Sequence, residues 1–361
     1  MKSRDTELPN KERIKWIDGI RALAVLCVIL CHCTEAVYEI DAVHMSDIFP
    51  VSEVFAVICF TVGRLGVPFF LMISGYLLLD REYTYEQCLG FWKNKWLHLF
   101  VCTEIWIVVY RVFLSVYGDR SLNLGVLLEE MFFIRENSSS HLWYMPMILG
   151  IYLLVPVAAN ALRATDIKLL RWPLIIYGGF AFIYPAVAAV YGILGIKHSL
   201  SLQFSFGFSG GTYGIYFILG YLVKKGWFQK YKNNMCAAAM TVCLGITVIF
   251  QLWAFYAGFT YKLWYTFPGL CLGALAVFEI FSGMKRVLCY KVVRFIANYS
   301  FAVYLIHNIF RRLFMTPVLA LPTSRPTKVL LLYLLVAGCS FPVAYLINHI
   351  PKIGKYILYT K

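Results

Sequence analysis

The chain has 361 residues, of which 60% are hydrophobic and 14% charged, where soluble domains carry ~45–50% and ~25%. A mean hydropathy of +0.70 leaves no room for a soluble fold, and the same figures exclude disorder, coiled coil and collagen. The net charge of +14 comes from basic residues scattered between apolar blocks, which reads as membrane topology: membrane lipids are expected as surroundings, and no nucleic acid as partner.

A helix needs roughly 20 mostly apolar residues to cross a ~30 Å hydrocarbon core. Ten stretches qualify, at about 17–38, 54–79, 96–116, 142–161, 172–194, 209–223, 235–256, 262–281, 296–312 and 328–348. The expected fold is an all-α integral membrane protein of about ten transmembrane helices within 17–348, with a cytoplasmic segment at 1–16 and a cytoplasmic tail at 349–361. Both termini are placed inside because most of the 33 lysines and arginines fall in the segments on that side. Glu39, Asp41, Asp47 and Glu53 in the first outer loop at 39–53, which has no Lys or Arg, agree with this orientation. The first apolar stretch follows a hydrophilic segment and lacks a small-residue cleavage site, so it is expected as a retained helix rather than a signal peptide. No linker to a soluble catalytic domain is visible, so the chemistry is expected within the membrane domain. In the long outer loop at 118–141, Leu124 to Ile134 is apolar enough for a short interfacial or re-entrant helix.

Eleven cysteines are spread among the spans and their inner ends with no CxxC pair, which reads as free thiols. Cys31, His32 and Cys33 are adjacent, but consecutive helix residues point in different directions, so no metal is expected there. Asn137-Ser138-Ser139 is a formal glycosylation sequon that matters only in a eukaryotic secretory setting.

Ionisable groups inside a span cost several kcal/mol and are candidates for function. Arg21 and His32 are eleven residues apart, which puts them within ~20° of one helix face and about 16 Å apart along it. That rise is comparable to an extended pantetheine arm, so a coenzyme A with its phosphates near Arg21 would present its thioester at His32, a general base of suitable basicity. The structural alternative has Arg21 snorkelling to headgroups and His32 bonded to a neighbouring helix. Glu35, one turn on, either orients the His32 ring or sits at the outer interface.

In the second span, Gly63-Arg64-Leu65-Gly66-Val67-Pro68 places Arg64 near mid-membrane with a kink expected at Pro68. Ser74 and Gly75 lie at the depth of Arg21, small enough for a ligand or helix to approach. Arg64 needs an anionic or carbonyl partner, from protein or ligand. Glu104 and Arg111, seven apart, suit an ion pair, while Arg111 at the level of His32 also suits an acceptor sugar or phosphate. His141 and Trp143 suit either an aromatic belt or a carbohydrate-stacking surface. Tyr304 and His307 share one helix face, as a hydrogen-bonded pair or as pocket lining. Gln251 and Glu279 read as helix-packing contacts.

Four of these segments in order resemble the acyltransferase type 3 family of multi-pass membrane O-acyltransferases. They are Ile17-Asp18-Gly19-Ile20-Arg21-Ala22-Leu23-Ala24 followed by His32, Val67-Pro68-Phe69-Phe70-Leu71-Met72-Ile73-Ser74-Gly75-Tyr76, His141-Leu142-Trp143-Tyr144, and Tyr299-Ser300-Phe301-Ala302-Val303-Tyr304-Leu305-Ile306-His307. The chain is similar to the enterobacterial common antigen O-acetyltransferase subgroup, which lacks an appended hydrolase-like domain. The resemblance implies a ten-helix bundle in a bacterial cytoplasmic (inner) membrane, acetyl-CoA or another acyl-CoA as co-substrate without a metal, and transfer to a hydroxyl of a cell-surface glycan or lipid-linked saccharide. It also implies that His32 is catalytic and aligns Arg21 and Arg64 with the family's arginines; Arg111 does not clearly match the third-helix pattern of some relatives.

The resulting expectation is a membrane O-acetyltransferase with His32 and Glu35 as the catalytic pair, His32 acting as general base or as a brief carrier of the acyl group, Arg64 or Arg111 stabilising the developing oxyanion, and Arg21, Ser74 and Gly75 on the acyl-CoA side. Arg64, Arg111, His141, Trp143, Tyr304 and His307 are expected on the acceptor side, and a homo-oligomer is compatible with the sequence. A polysaccharide transporter or lipid-linked sugar flippase is the alternative, since buried arginines and histidines also line transport paths. An acyl-CoA-binding sensor or assembly subunit without turnover is a further one.

Overall fold

The computed structural model describes residues 13–40, 50–118, 121–196, 211–259, 261–350 and 353–359. Most of the 1–16 segment, the loop acids Asp41 and Asp47, the basic residues Arg120, Lys197 and Lys361, and the start of the sixth expected span lie outside them. All regular structure among the described residues is helical. Among the described residues, seven helical stretches are long and apolar enough to cross a membrane: Lys15–Tyr38, Val51–Leu78, Tyr85–Val116, Ser140–Ala164, Ile167–Ile193, Asn233–Tyr256 and Arg325–Asn348. The remaining three expected spans are also helical, but Pro268–Ser282 is short, Gly211–Lys224 has only fourteen residues, and Tyr290–Leu319 is long but charged.

The helix α1 (Lys15–Tyr38) is the axis of the molecule. It packs against α2 (Pro50–Arg64), α3 (Gly66–Leu78), α12 (Pro268–Ser282), α13 (Tyr290–Leu319) and α14 (Arg325–Asn348). Its N-terminal end is tied to α13. Arg13 donates to both Asp18 oxygens at 2.5 and 2.9 Å and to Asn298 Oδ1 at 2.6 Å, and Tyr290 donates to Asp18 at 2.8 Å. Near its middle, the second span breaks at Leu65, one turn before the expected kink at Pro68. The proline ring collides with the carbonyl four residues earlier, that of Arg64, so the helix ends there and restarts at Gly66. Glu53, expected in a loop, is a buried residue of α2.

Close helix approach sets the inner geometry. A Cβ on Gly63 would stand 2.7 Å from the Cys31 backbone and one on Gly66 2.6 Å from the Ala24 carbonyl, so both glycines of the broken span press onto α1. Gly75 faces α10 (Gly211–Lys224), where a Cβ would lie 1.8 Å from the Phe217 carbonyl; Gly220 meets the Met72 carbonyl reciprocally at 2.0 Å. These contacts follow the small-residue packing of helices in membranes.

Elsewhere, α5 (Leu97–Val116) continues from α4 (Tyr85–Phe91) through a π turn, so the third span starts earlier than the sequence suggests. The short helix expected within 118–141 forms as α6 (Leu124–Met131), capped by Asn123. It meets α5 through a buried node: Arg111 reaches Glu130 at 3.3 Å, Ser138 Oγ at 2.6 Å and the Ser121 carbonyl at 3.1 Å, and Ser138 donates to Glu130. An ion pair of Arg111 with Glu104 is therefore absent, and both Glu104 oxygens lack a partner. The helix α7 (Tyr144–Ala164) follows the 3₁₀ turn Ser140–Trp143, and α8 (Arg171–Gly178) and α9 (Tyr184–Ile193) flank a second π turn. Gln251 of α11 (Asn233–Tyr256) bonds Thr61 of α2 at 2.7 Å, the packing role expected of it. The segment expected as a tail is docked: α15 (Ile353–Ile357) presents the Ile357 carbonyl to Trp106 at 2.7 Å, and Leu358 is fully buried. All eleven cysteines are unpaired.

The reciprocal glycine contacts make a stability prediction. Gly75→Leu or Gly220→Leu must push α3 and α10 apart, an overpacking cost of ~1–3 kcal/mol or more, read as a lower thermal midpoint in detergent. Gly245→Ala, where an added Cβ meets nothing within 4 Å, should leave the midpoint unchanged.

Candidate active site

The C-terminal half of α1 carries His32 and Glu35 one turn apart, and their side chains meet: His32 Nδ1 lies 2.8 Å from Glu35 Oε2. A carboxylate only accepts, so Nδ1 carries the proton and the neutral ring's lone pair sits on Nε2. The other Glu35 oxygen, Oε1, takes Arg64 at 3.1 Å and Lys262 at 3.0 Å. Three donors thus hold one carboxylate, one of them the His32 ring.

Arg64 reaches Glu35 because Gly63 and Gly66 let α2 and α3 lie against α1. Its guanidinium stands 4.6, 4.8 and 5.3 Å from the ring centres of Phe60, Trp264 and Tyr265 and donates to the Tyr265 hydroxyl at 3.2 Å. Its partners are therefore a carboxylate and aromatic faces of the protein itself, which suits a buried cation. Trp143 extends the same aromatic wall, its ring centre 5.4–5.6 Å from those of Tyr213, Trp264 and Tyr265.

Two further histidines close on His32. The His307 ring, from α13, is stacked on it at 5.3 Å between centres, and the His141 ring, from the turn before α7, is 6.4 Å from His32 and 5.3 Å from His307. His141 and His307 are buried, at 2% and 0% exposure, whereas the His32 side chain keeps 21%, so access from outside reaches that ring. Tyr304 lies beneath them: its hydroxyl donates to the His141 carbonyl at 2.7 Å, while His307 Nδ1 donates to the Tyr304 carbonyl at 2.6 Å. The pairing of Tyr304 and His307 is thus through the backbone. Among the described residues no group of three or more His, Cys, Asp or Glu is placed to hold a metal ion.

Toward the other end of α1, Arg21 lies 3.6 Å from Asp18, roughly 16 Å along the helix from His32 by the helical rise. Ser74 Oγ is 3.0 Å from the Tyr152 hydroxyl. Gly75 packs against α10, and its smallness is accounted for by that contact. Arg111 is likewise apart from the histidines, enclosed by Glu130, Ser138 and Ser121.

Several residues of the site were not singled out from sequence. Lys262 joins Glu35, and Arg311 and Arg312 belong to α13, which runs on to Leu319 beyond the expected span end at 312. Ser139 and Asn308 bond His141 Nδ1 at 2.9 and 3.1 Å, and Arg311 donates to Asn308 at 2.5 Å. The signal in the sequence is the three-residue spacing of Asn308 and Arg311, which puts Arg311 one turn past His307.

No solved structure matches this chain. Among curated proteins it is similar to an amino-acid racemase of Enterococcus faecalis, at 31% identity over 38% of this chain and 18% of the relative. It is also similar to a serine/alanine racemase of Enterococcus gallinarum, at 26% identity over 37% of this chain and 18% of the relative. The chain spans less than a fifth of the length of these relatives. Residues 14–349 match an acyltransferase domain, and over that nearly complete span the chain belongs to the acyltransferase type 3 family.

Proposed function

We propose that this membrane acyltransferase moves an acyl group, acetyl by preference, from cytoplasmic acyl-CoA to a hydroxyl of an extracytoplasmic or lipid-linked glycan in a bacterial inner membrane. The observation that carries this reading is the His32–Glu35 hydrogen bond, which leaves Nε2 of a partly exposed ring basic, on the same helix as Arg21. Arg21 with Ser74 supplies cationic and hydroxyl contacts for the coenzyme's phosphates, and the rise along α1 matches the reach of pantetheine. The ten-helix topology with both termini inside belongs to the same reading.

In the step itself, the acceptor oxygen bonds to the thioester carbon as its proton passes to His32 Nε2, and the carbonyl electron pair moves onto oxygen. When that pair returns, the carbon–sulfur bond breaks, sulfur takes the bonding electrons, and the His32 proton completes the coenzyme A thiol. Glu35 holds the ring and offsets the imidazolium charge meanwhile. Trp143 offers a face for the sugar. Racemisation is not carried over from the two partial relatives, whose shared segment is 18% of their length.

Purified protein in liposomes, given radiolabelled acetyl-CoA and a bacterial polysaccharide extract, tests the reading. Transfer should accompany release of free thiol, and His32→Ala should lower it at least ~100-fold, the scale of a lost general base, with the thermal midpoint kept. Glycan movement across the bilayer without thioester consumption would establish the transporter reading instead, and acyl-CoA binding without thiol release would establish a sensor.

The two ends of α1 should separate kinetically. Arg21→Ala is expected to raise KM for acetyl-CoA about tenfold, one charge-assisted contact being ~1.5–3 kcal/mol, with little change in kcat. Glu35→Gln should lower kcat and leave that KM alone. Loss of kcat alone in Arg21→Ala would place the coenzyme elsewhere.

A further inference from the structure

His141 touches none of the carboxylates of the site, and its surroundings fix where its proton lies. Arg311 Nε donates to Asn308 Oδ1 at 2.5 Å. A guanidinium only donates, so the Asn308 amide must turn its NH₂ the other way, and there Nδ2 meets Ser139 Oγ at 2.8 Å and His141 Nδ1 at 3.1 Å. Ser139 Oγ, accepting from Asn308, has its own proton left for His141 Nδ1 at 2.9 Å. Asn308 Nδ2 can only donate, so Nδ1 facing it accepts, a nitrogen that accepts carries no proton, and the Ser139 proton turns to the same atom. The His141 ring is the Nε2–H tautomer.

That N–H is buried and without a hydrogen-bond acceptor. The other two rings have the opposite polarity. His32 and His307 each give their Nδ1 proton to an oxygen, Glu35 and the Tyr304 carbonyl, and so turn a lone pair outward at Nε2. Three rings within 5.3–6.4 Å of one another thus present two acceptors and one donor.

We infer that His141 is a catalytic hydrogen-bond donor, its Nε2–H bonding the thioester oxygen as negative charge develops there, and that Asn308, Ser139 and Arg311 are positioning residues that fix its tautomer. This rests on the acyl-transfer reading above. No proton leaves His141: the carbonyl pair moves onto oxygen as the acceptor oxygen bonds to carbon, the N–H stabilises that oxyanion, and the pair returns as the carbon–sulfur bond breaks. A donor fixed in place before the reaction, in a water-poor site, is where such stabilisation is largest.

Two measurements test it. Protein labelled with ¹⁵N at its seven histidines and reconstituted in liposomes would be read by solid-state NMR, the His141 signals being assigned by their loss in His141→Gln. A bare Nδ1 and a protonated Nε2 are expected; a protonated Nδ1 overturns the assignment. In the liposome assay, His141→Phe should lower kcat by ~100-fold or more, the scale of a lost oxyanion donor, with KM for acetyl-CoA within about threefold. His141→Gln, whose amide N–H reaches the position of Nε2, should recover at least tenfold over Phe. Equal losses in both variants, or a loss carried by KM, overturn the catalytic role. If the wild-type protein releases no coenzyme A, the transfer reading fails and takes the oxyanion role with it, whereas a wild type that turns over beside an equally active His141→Phe removes the His141 role alone.

Discussion

The arrangement depends on one carboxylate. Glu35 lies on the axial helix in an apolar protein, and an ion there persists only when its charge and lone pairs are met by other groups. Lys262 and Arg64 meet one oxygen and His32 the other. Each comes from a different place in the chain, so satisfying Glu35 gathers α1, the broken second span and the segment before α12 at one point. The geometry of the candidate site is then a consequence of pairing a largely enclosed charge: the bond that completes the carboxylate's set of partners is also the bond that orients the imidazole.

Packing makes the pairing reachable. Arg64 approaches Glu35 because glycines on both sides of it bring the backbone of the second span against that of α1, and because the helix breaks at Leu65, the position dictated by Pro68. Aromatic faces from Phe60, Trp264 and Tyr265 then enclose the guanidinium and leave its edge for the carboxylate. Sterics at two glycines and one proline thus decide where a charge ends up. The same division holds at Arg111, where a separate carboxylate and two oxygen acceptors spend the cation on holding α6 to α5.

What the sequence disclosed follows from what periodicity can reach. Arg21, His32 and Glu35 share one helix, so helical geometry alone places them, and the apolar runs mark most of the long helices. Contacts between elements have no such signature. Lys262 looks like any basic residue near a span end, and only the fold shows it 3.0 Å from Glu35. Heptad spacing pairs Arg111 with Glu104, but a residue on a short neighbouring helix, Glu130, wins because it is buried beside the guanidinium. Gly75 shows the limit from the other side: a small residue leaves space for a ligand or for a backbone, and sequence cannot say which. Here the Phe217 carbonyl fills it.

The three histidines extend this logic from position to polarity. Imidazole is one chemical group, yet in a neutral ring the two nitrogens are forced into opposite roles, so whatever engages Nδ1 decides what Nε2 can do. An oxygen acceptor at Nδ1 makes the outward nitrogen a base, as at His32 and His307; the amide and hydroxyl at His141 make it an acid-side donor. Water would scramble these preferences by offering either role to any nitrogen. In a buried cluster the neighbours alone choose, and Arg311 starts the chain of choices because a guanidinium has no acceptor to offer. A cation one turn along α13 thereby sets the sign of a hydrogen bond on the opposite side of a histidine ring from another segment.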